Sequence, residues 1–595
     1  MHRAKITHTE EIPSGYRITN FSRHHQETKQ HKHWRRIYIF VLLCLFYTFC
    51  SRCSPLGLQK YSPIKFQQAL IAFIFSILSF PKQTIFMMRE FYYLFIVLFI
   101  LFFSGFTHVG RAQDVAVISG DFPDPTVIAA DGKYYAIGTS SEWGPHFPIY
   151  ESPDLMDWKQ TGFVFSSPPE WTSSSFWAPE YFYHNGLYYV YYSAKRKSDG
   201  VSCIGVATSR YPDRDFVDHG IVVDYGSESI DAYVVKEGDE LYMTWKAYGL
   251  DDRPIELLGS RLSSDGFRLE GAPFSLLLDT ARVGIEGQSF VKKNGYYYMF
   301  YSAGACCGIH CDYRVQAVRA RSIRGPYERV GGDMLLGENA EWKCMGHGTF
   351  VKGKNQQVYY LFHGYNKTGT TYTGREGLLA ELTWISDEIP NFVFIPAATE
   401  KALHNIQVDF KNLPQDKLFW QWDYRNVLPK KTYTAYGLEL SGQLIREDNS
   451  SVALTLRPHS VDYIVGAIVD LERSSKMAEK GVVVYGDHDQ SIGVDVKGSS
   501  IRFWSVRKGK KLVLKEENCP IGQRYAELRL SINPQRLFRA FYKRGEDWIE
   551  LLPADENPPS ESISPWDRSP RPGLHFSGTE RDKAIFTHFY LINQP

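Results

Sequence analysis

The sequence predicts an all-β fold, in which a five-bladed β-propeller is followed by a β-sandwich. A turn followed by an aromatic strand recurs five times, and its marker tyrosines are Tyr134, Tyr188, Tyr242, Tyr297 and Tyr359. Their spacings of 54, 54, 55 and 62 residues suit blades of four short strands, and five blades lie within the usual range. Aromatic residues form 15% of the chain and favour pleated, half-buried strands.

The charge is unevenly distributed along the 595 residues. Residues 1–112 contain 14 Lys and Arg against 4 Asp and Glu, a net charge of +10, so the total of +1 leaves −9 for the remainder. An acidic body with no basic stripe argues against nucleic-acid binding. The composition also excludes a collagen, a coiled coil, a disordered tail and a multi-span transporter.

Residues 1–112 are predicted to be a leader rather than a domain. Their three apolar runs, 37–49, 69–80 and 91–106, are each shorter than the roughly 20 residues that a spanning helix needs. The third run has the anatomy of a signal peptide, with Met87-Met88-Arg89 before it and small residues before a cleavage site at Gln113. We expect translation to begin at Met87 or Met88 and the body to be exported to the periplasm, cell surface or medium. A membrane anchor is the alternative.

Six cysteines follow the leader, and their spacing matches no zinc pattern. They are Cys203, Cys306, Cys307, Cys311, Cys344 and Cys519. In an oxidising compartment the dense segment 306–311 favours disulfides. Unpaired buried thiols are the alternative, and the pairing is open.

About ten residues before each marker tyrosine stands a polar residue that we expect on the propeller axis. These residues are Asp124, Glu180, Asp231, Glu286 and His347. The strand before each hairpin is innermost, so matched positions in five blades converge on one small pocket. Four carboxylates and a histidine there repel one another and lose hydration, so some of their pKa values must rise. An ordinary strand-end role is the alternative for any one of them.

Paired carboxylates on an axis suit glycoside hydrolysis. The reaction needs one carboxylic acid to protonate the leaving oxygen and a second carboxylate opposite it. A separation of roughly 6.5–9.5 Å leaves room for a water molecule and inverts the anomeric configuration, and positions on different blades suit that spacing. Phe122, Trp143 and Trp177 are predicted to supply apolar faces for sugar rings, with ordinary packing as the alternative.

Five short motifs resemble those of glycoside hydrolase family 43, and they run in that family's order within residues 118–390. They are Phe122-Pro-Asp124-Pro-Thr, Trp177-Ala-Pro-Glu180, Ser229-Ile-Asp231-Ala, Ile285-Glu286-Gly-Gln and Gly346-His347-Gly-Thr. Members of this family are five-bladed propellers and inverting enzymes, so the resemblance implies the same fold and mechanism. Any one motif is weak, but five in order on a five-fold repeat are specific.

The resemblance implies catalytic roles for three carboxylates. Asp124 matches the general base that activates water, and Glu286 matches the general acid. Asp231 matches the third carboxylate, which orients the acid and raises its pKa. A raised pKa would keep Glu286 protonated near neutral pH, as a general acid requires.

The same resemblance implies contacts around the acids. Glu180, His347 and Arg375 are predicted to contact substrate, Arg375 through sugar hydroxyls. No cofactor is expected to be required. In some family members the axial histidine that His347 matches is linked to a calcium ion or a water cluster, so a structural calcium is a further expectation.

The aromatic repeat stops after Trp384, and residues 405–595 are predicted to form the β-sandwich from short alternating strands. Two segments, Phe419-Trp-Gln-Trp-Asp423 and Leu438-Glu-Leu-Ser-Gly442, resemble the concanavalin A-like domain of family 43 β-xylosidases. In some relatives this domain lends a loop to the pocket, which favours exo action. A free-standing carbohydrate-binding module and a structural buttress are the alternatives.

The predicted organisation is a leader at 1–112, with a signal peptide at about 87–112, a catalytic propeller at 113–395 and a sandwich at 405–595. We expect an exported inverting glycosidase that removes terminal pentoses from plant cell-wall polysaccharides or oligosaccharides, as a β-D-xylosidase or an α-L-arabinofuranosidase. An endo-acting arabinanase and a non-catalytic carbohydrate-binding propeller are the alternatives. Saccharides are the expected partners, with no nucleic acid and no membrane beyond the export signal.

Overall fold

The computed structural model describes residues 116–594, except 249–252, 398–404, 413–417, 447–448, 520–521 and 553–562. The predicted leader, signal peptide and start codon lie outside these residues. All described residues belong to one compact unit, Gly110–Pro595. Their regular structure is β, apart from one 3₁₀ turn at Thr370–Tyr372. None of the helices found among them has the length and apolar character needed to cross a membrane.

Five antiparallel blades of four strands form the propeller; blades 1, 4 and 5 are separate sheets, and a parallel bridge between Ser202 and Glu228 joins blades 2 and 3 into one sheet of eight strands. Blade 1 comprises β1 (Thr126–Ala130), β2 (Lys133–Ile137), β4 (His146–Ser152) and β5 (Lys159–Phe165), with the two-residue β3 (Trp143–Gly144) outside its sheet. Blade 2 comprises β6 (Thr172–His184), β7 (Leu187–Arg196), β8 (Ser202–Ser209) and β9 (Val217–Val223). Blade 3 comprises β10 (Glu228–Glu237), β11 (Glu240–Tyr248), β12 (Glu256–Leu262) and β13 (Phe274–Leu278). Blade 4 comprises β14 (Ile285–Lys293), β15 (Tyr296–Ala303), β16 (Arg314–Ala320) and β17 (Glu328–Val330). Blade 5 comprises β18 (Trp342–Lys352), β19 (Val358–Asn366), β20 (Arg375–Ser386) and β21 (Ile389–Ile395).

The first strands of the five blades close a ring around the axis. Strand β1 packs against β6, β6 against β10, β10 against β14, β14 against β18, and β18 against β1. The turns that lead out of these strands have the predicted chemistry, because both residues of Asp131-Gly132, Asn185-Gly186 and Asn294-Gly295 have positive φ. The predicted five-bladed propeller is therefore confirmed.

Each blade carries a residue with positive φ in its inner strand or, in blade 1, just before it. These residues are Asp124 (φ 50°), Ala178 (35°), Asp231 (59°), Gly287 (61°) and His347 (40°). In blades 2 to 5 the pairing of the first two strands shifts register at this point. The five-fold equivalence predicted for Glu180 and Glu286 is therefore wrong, because Ala178 and Gly287 occupy those places. A bulge re-aims side chains, and its position within a strand is not visible in the spacing.

The segment before β1 closes the ring against blade 5. Ile118 pairs with Gly377 as an isolated antiparallel bridge, and the Phe122 N–H donates to the Arg375 carbonyl over 2.7 Å. The Gly120 N–H donates to the Glu376 carboxylate at 3.3 Å. These bonds fix the start of the inner strand of blade 1, which carries Asp124.

The remaining strands form two sheets packed face to face, so the predicted β-sandwich is confirmed. The first sheet contains β22 (Ile406–Asp409), β24 (Val427–Thr434), β25 (Gly437–Leu444), β27 (Tyr463–Asp470), β32 (Tyr525–Ile532), β33 (Phe538–Arg544), β34 (Asp547–Glu550) and β36 (Ala584–Asn593). The second contains β26 (Val452–Thr455), β28 (Glu479–Asp487), β29 (Gln490–Lys497), β30 (Ser500–Arg507), β31 (Lys510–Asn518) and β35 (Arg571–Ser577). A single apolar core fills the space between the sheets.

The sandwich and the propeller share strands and core. The short β23 (Trp422–Asp423) pairs with β3 of blade 1. The Trp143 indole of β3 is buried in an apolar cluster with Tyr485 and Trp504 of the sandwich. Arg457 of the sandwich donates to the Asp121 carbonyl of the propeller at 2.9 Å. This continuous interface fixes the sandwich against one face of the propeller.

Two disulfides involve the dense cysteine segment, and one of them joins it to blade 5. Cys306 pairs with its neighbour Cys307, and Cys311 pairs with Cys344 at the start of β18. Cys203 and Cys519 are free thiols. The alternative of unpaired buried thiols is therefore wrong for Cys306, Cys307, Cys311 and Cys344; it holds for Cys203, whereas Cys519 is unpaired but only half-buried.

Candidate active site

Asp124 lies at the centre of a buried group of charged side chains. Its Oδ1 accepts a hydrogen bond from Arg375 Nη1 at 3.0 Å and lies 3.5 Å from His347 Nδ1. Its N–H donates to His363 Nδ1 at 3.0 Å, which orients the backbone at its positive φ. Burial by itself would raise the pKa of Asp124, but the charges of Arg375 and His347 outweigh it and hold the pKa well below its usual range. Asp124 is therefore a carboxylate at any working pH.

Asp231 connects blade 3 to blades 4 and 5. Its Oδ2 accepts the Gly287 N–H at 3.1 Å and lies 3.9 Å from His347 Nδ1. Burial raises the pKa of Asp231 to about 6, against the opposing charge of His347 and with the Glu286 carboxylate adding to the rise. Asp231 thereby fixes the backbone next to Glu286.

Both oxygens of the Glu286 carboxylate are bound by the protein. Lys246 Nζ of β11 donates to Oε2 at 2.7 Å, and the Tyr313 hydroxyl donates to Oε1 at 2.9 Å. Burial alone would raise the pKa of Glu286, but the Lys246 ammonium lowers it below its ordinary value. The prediction of a raised pKa for Glu286 is therefore wrong in this structure. The cause is the contact with Lys246, which the sequence did not reveal. The raised pKa belongs to Asp231.

Two of the predicted sugar platforms are core residues instead. Phe122 has no exposed surface and packs edge-on against Tyr150 at a centroid distance of 5.0 Å. Trp143 is 1% exposed, because the sandwich covers it. The prediction that Phe122 and Trp143 contact substrate is therefore wrong. Aromatic residues supply cores as readily as binding sites, and the short motifs do not distinguish the two.

Glu180 is buried between blades 1 and 2. Its Oε2 accepts a hydrogen bond from the Thr126 hydroxyl at 2.9 Å. Burial raises the pKa of Glu180 well above its ordinary value, and the Thr126 hydrogen bond opposes that rise only in part. The structure does not join Glu180 to the group around Asp124, so its contact with substrate stays a prediction.

Trp177 stands where the sandwich meets the propeller. Its indole lies edge-on to Trp566, with ring centroids 6.1 Å apart. The next residue of the sandwich, Asp567, accepts a hydrogen bond from Arg375 Nη2 through its carbonyl at 2.9 Å. Arg375 therefore connects the sandwich directly to Asp124.

Several residues of the site escaped the sequence analysis, and they are Glu228, Lys246, Tyr313, His363, Trp566 and Asp567. Lys246 lies in β11 between buried residues, and a lysine in such a strand is a usable signal, since lysine is rarely buried unless it is paired. His363 in β19 gives the same signal. Trp566 and Asp567 come from a distant segment, and nothing local marks them.

The calcium expectation stays a prediction. Calcium takes six to eight oxygen ligands, whereas the carboxylates beside His347 are already bound by Arg375 and the Gly287 N–H. The axial protein atoms therefore supply no calcium cage without water. Over the described parts of the chain, one set of three candidate metal ligands occurs, Glu479, Asp495 and His575 of the sandwich, and Arg502 binds both of its carboxylates.

Comparisons with known proteins agree with this geometry. Residues 114–390 match the family model described as glycosyl hydrolases family 43. An extracellular exo-α-(1→5)-L-arabinofuranosidase of Cellvibrio japonicus is 27% identical over 283 residues, which cover 41% of this chain and 79% of that protein. An extracellular endo-α-(1→5)-L-arabinanase of Bacillus subtilis is 28% identical over 254 residues, covering 39% of this chain and 77% of that protein.

Solved structures match both parts of the fold. A xylan β-1,4-xylosidase from Bacillus halodurans superposes with a TM-score of 0.67 at 19% identity, over 81% of this chain and all of that one. A family 43 protein of a Bacteroides ovatus xyloglucan locus gives a TM-score of 0.68 at 19% identity, again over 81% of this chain. The propeller, the axial carboxylates and the family match agree, and residues 114–390 of this chain form a glycoside hydrolase domain of family 43.

Proposed function

We propose that the protein is an exported inverting glycosidase that removes terminal pentoses, arabinofuranose or xylose, from plant cell-wall polysaccharides or oligosaccharides. The observation that carries the proposal is the meeting of Asp124, Asp231 and Glu286 around His347 on the propeller axis. The exo-arabinofuranosidase of Cellvibrio japonicus supports the release of a terminal arabinose. Xylose rests on the resemblance of the sandwich to that of family 43 β-xylosidases.

The proposed mechanism uses the two carboxylates in opposite charge states. Asp124 accepts a proton from water as the water oxygen attacks the anomeric carbon, and Arg375 and His347 keep Asp124 ionised for this role. The glycosidic bond breaks, and Glu286 gives its proton to the leaving oxygen. The charges of Asp231 and Glu286 act on each other in a buried site, so the two carboxyls titrate as a pair, and in this mechanism the proton of that pair is the one that Glu286 delivers.

Exo action is favoured by the position of the sandwich. Residues 564–568 stand at the mouth of the site, where the Asp567 carbonyl accepts from Arg375 and Trp566 meets Trp177. A wall at this place admits the end of a chain more readily than its middle. The second candidate is an endo-arabinanase, which the Bacillus subtilis relative favours because it matches the propeller about as well.

The test uses the compact unit Gly110–Pro595, incubated with xylo-oligosaccharides, arabino-oligosaccharides and arabinoxylan. Proton NMR would identify each released sugar and its anomeric configuration together. We expect monomeric xylose or arabinose to appear first, with inverted configuration. Internal cleavage to short oligomers would favour the arabinanase, and retained configuration would contradict the mechanism. Binding without turnover would instead support a carbohydrate-binding propeller.

A further inference from the structure

A polar cleft of about 460 Å³ lies between the propeller and the sandwich, beside the candidate active site. Its propeller wall includes Trp177 and Lys195 of blade 2, and its sandwich wall includes Arg425, Asp487 and Trp566. Its volume lies in the range of protein sites that enclose small organic ligands. The mechanism proposed above makes no use of this cleft.

The cleft reaches the candidate active site through Asp567. The Asp567 carbonyl accepts from the Arg375 guanidinium that also binds Asp124. Lys195, which also lines the cleft, is one of the charges that act on Glu228. Burial raises the pKa of Glu228 to about 7, and Lys246, Asp231, Glu286 and Lys195 are the neighbouring charges that act on it. The cleft therefore lies beside the Arg375 guanidinium that binds the proposed base.

The lining of the cleft suits a saccharide. Trp566 is 60% exposed although it stands edge-on to Trp177, so one indole remains open to a ligand. Around it lie charged groups with planar ends, among them Arg425 and Asp487. An aromatic face for the C–H side of a sugar ring, together with planar polar groups for its hydroxyls, is the chemistry that a saccharide needs.

Some of these charges also hold the two parts together. Glu142 of the propeller lies 3.1 Å from the Arg425 guanidinium of the sandwich, and within the sandwich Arg568 lies 2.6 Å from Asp487. Such buried pairs explain the presence of the charges without a ligand. They leave the indole of Trp566 60% exposed at the cleft.

A second cavity of about 560 Å³ continues the cleft along the sandwich. The two cavities share Arg425, His488 and Asp489. The outer one ends at Arg446 and Lys508, both of which are exposed. Together they make a groove, which we call the interdomain groove, that leads away from the acid and base and is longer than one sugar ring needs.

We propose that the interdomain groove binds the leaving-group chain, which is the saccharide left behind when the terminal pentose is removed. Trp566 would carry the first sugar ring beyond the cleaved bond, and the outer cavity would hold the rings that follow. This proposal rests on the exo-glycosidase function proposed above. It makes an oligosaccharide or polysaccharide, rather than a short glycoside, the preferred substrate class.

The test compares substrates that fill the groove with substrates that do not. Oligosaccharides of two to five pentoses and the matching 4-nitrophenyl pentoside would be assayed with the parent chain and with Trp566→Ala. In the parent, we expect kcat/KM to rise at least about tenfold from the dimer to the tetramer, which corresponds to about 1.4 kcal/mol. In Trp566→Ala, kcat/KM on the tetramer should fall about tenfold more than on the nitrophenyl pentoside, as expected for one lost aromatic platform.

Tyr436→Ala is the matched control, because Tyr436 is an exposed aromatic residue of the sandwich in the turn after β24. It should leave both activities unchanged. If Trp566→Ala does not fold, the double variant Arg446→Ala/Lys508→Ala tests the outer cavity, and it should lower kcat/KM on the pentamer more than on the dimer.

Two results would overturn the proposal. One is a kcat/KM in the parent that does not change with chain length from dimer to pentamer. The other is an equal loss on the tetramer and the nitrophenyl pentoside in Trp566→Ala. Neither result resembles a failure of the proposed function, since a protein without glycosidase activity would turn over none of these substrates and an endo-acting enzyme would release short oligomers instead of monomers.

Discussion

Glu286 is bound by a lysine, and this contact sets the charge of the proposed acid. Lys246 Nζ lies 2.7 Å from its Oε2 and lowers its pKa. The acid works only when protonated, so activity is lost as the pH rises through the pKa of the Asp231–Glu286 pair. Lys246→Met removes the cation, and we expect the alkaline limb of the kcat/KM profile to move up by about 1–2 pH units.

The control for this experiment is Lys292→Met on the same blade as Glu286. Lys292 Nζ contacts the Tyr297 hydroxyl near the hairpin turn and has no contact with the axial carboxylates among the described residues. Its pH profile should match that of the parent. An unchanged alkaline limb in Lys246→Met would show that Lys246 does not control the acid.

Glu286→Gln tests the acid directly, because glutamine keeps the shape and loses the proton. We expect hydrolysis of substrates with poor leaving groups to fall about 10²–10⁴-fold. Activated aryl pentosides should lose much less, since their leaving groups need little protonation. Rates on both substrate types would be measured beside Glu270→Gln, an exposed control. Equal losses on both types would contradict the acid assignment.

At the residue level, sequence reasoning found the groups that stand in motifs and missed those that stand in strands. Asp124, Asp231 and Glu286 lie in short motifs, and the structure brings them together. Lys246 and His363 lie within strands where every neighbour is buried, so alternation does not show which way their side chains point. The prediction that Trp143 contacts substrate was wrong because the residues that bury its indole belong to the sandwich, more than 250 residues away in the chain.

At the level of elements, β20 carries Arg375 into the site and Glu376 away from it. Burial raises the pKa of Glu376 to about 7, with hydrogen bonds from Thr373 and the Gly120 N–H opposing the rise. The folded protein thus holds this proton more tightly than the unfolded chain, whose carboxyl has a pKa near 4.5. The resulting stabilisation is complete below pH 4.5 and is lost as the pH rises through 7.

Glu376→Gln removes the buried carboxyl, and with it the free-energy cost of ionising that carboxyl in the folded protein at high pH. At pH 8 we expect the variant to be more stable than the parent by on the order of 2–3 kcal/mol, with the difference shrinking towards pH 5. Denaturant unfolding at several pH values would measure it. Glu381→Gln, a half-buried position on the same strand, is the control and should show no such trend. A constant difference from pH 5 to pH 8 would contradict the buried-carboxyl explanation.

The bulges of the inner strands limited what could be predicted for these elements. The spacing of the marker tyrosines identified the five blades and their hairpins correctly. It did not identify the positive-φ residue of each blade. That residue is Asp124 in blade 1, 10 residues before Tyr134, and His347 in blade 5, 12 residues before Tyr359. An inserted residue reverses the face of those that follow, so spacing alone could not separate Glu180 from Ala178.

At the level of the whole molecule, the propeller and sandwich should unfold as one body. The Trp143 indole belongs to an apolar cluster of the sandwich although its strand belongs to the propeller side. Trp143→Ala should therefore destabilise both parts together, by about 3–5 kcal/mol. Calorimetry and circular dichroism should show one coincident transition in parent and variant.

The exposed Trp566 supplies the control for this measurement. Trp566→Ala should change stability by less than about 0.5 kcal/mol, because it removes no buried core group. Two separate transitions in the parent, or a loss in Trp143→Ala that affects only one of them, would show that the interface does not couple the two parts.

The repeated bulge makes the axis a set of five separately adjustable positions. Three of them carry side chains used in the proposed chemistry, Asp124, Asp231 and His347. Gly287 is fixed, because an added Cβ would come within 2.7 Å of the His347 ring. The fifth position, Ala178, has a side chain to which the proposed chemistry assigns no role. Its backbone has positive φ, a conformation that asparagine and aspartate tolerate. A substitution at Ala178 would therefore change the axial side chains of blade 2 without rebuilding the other four blades.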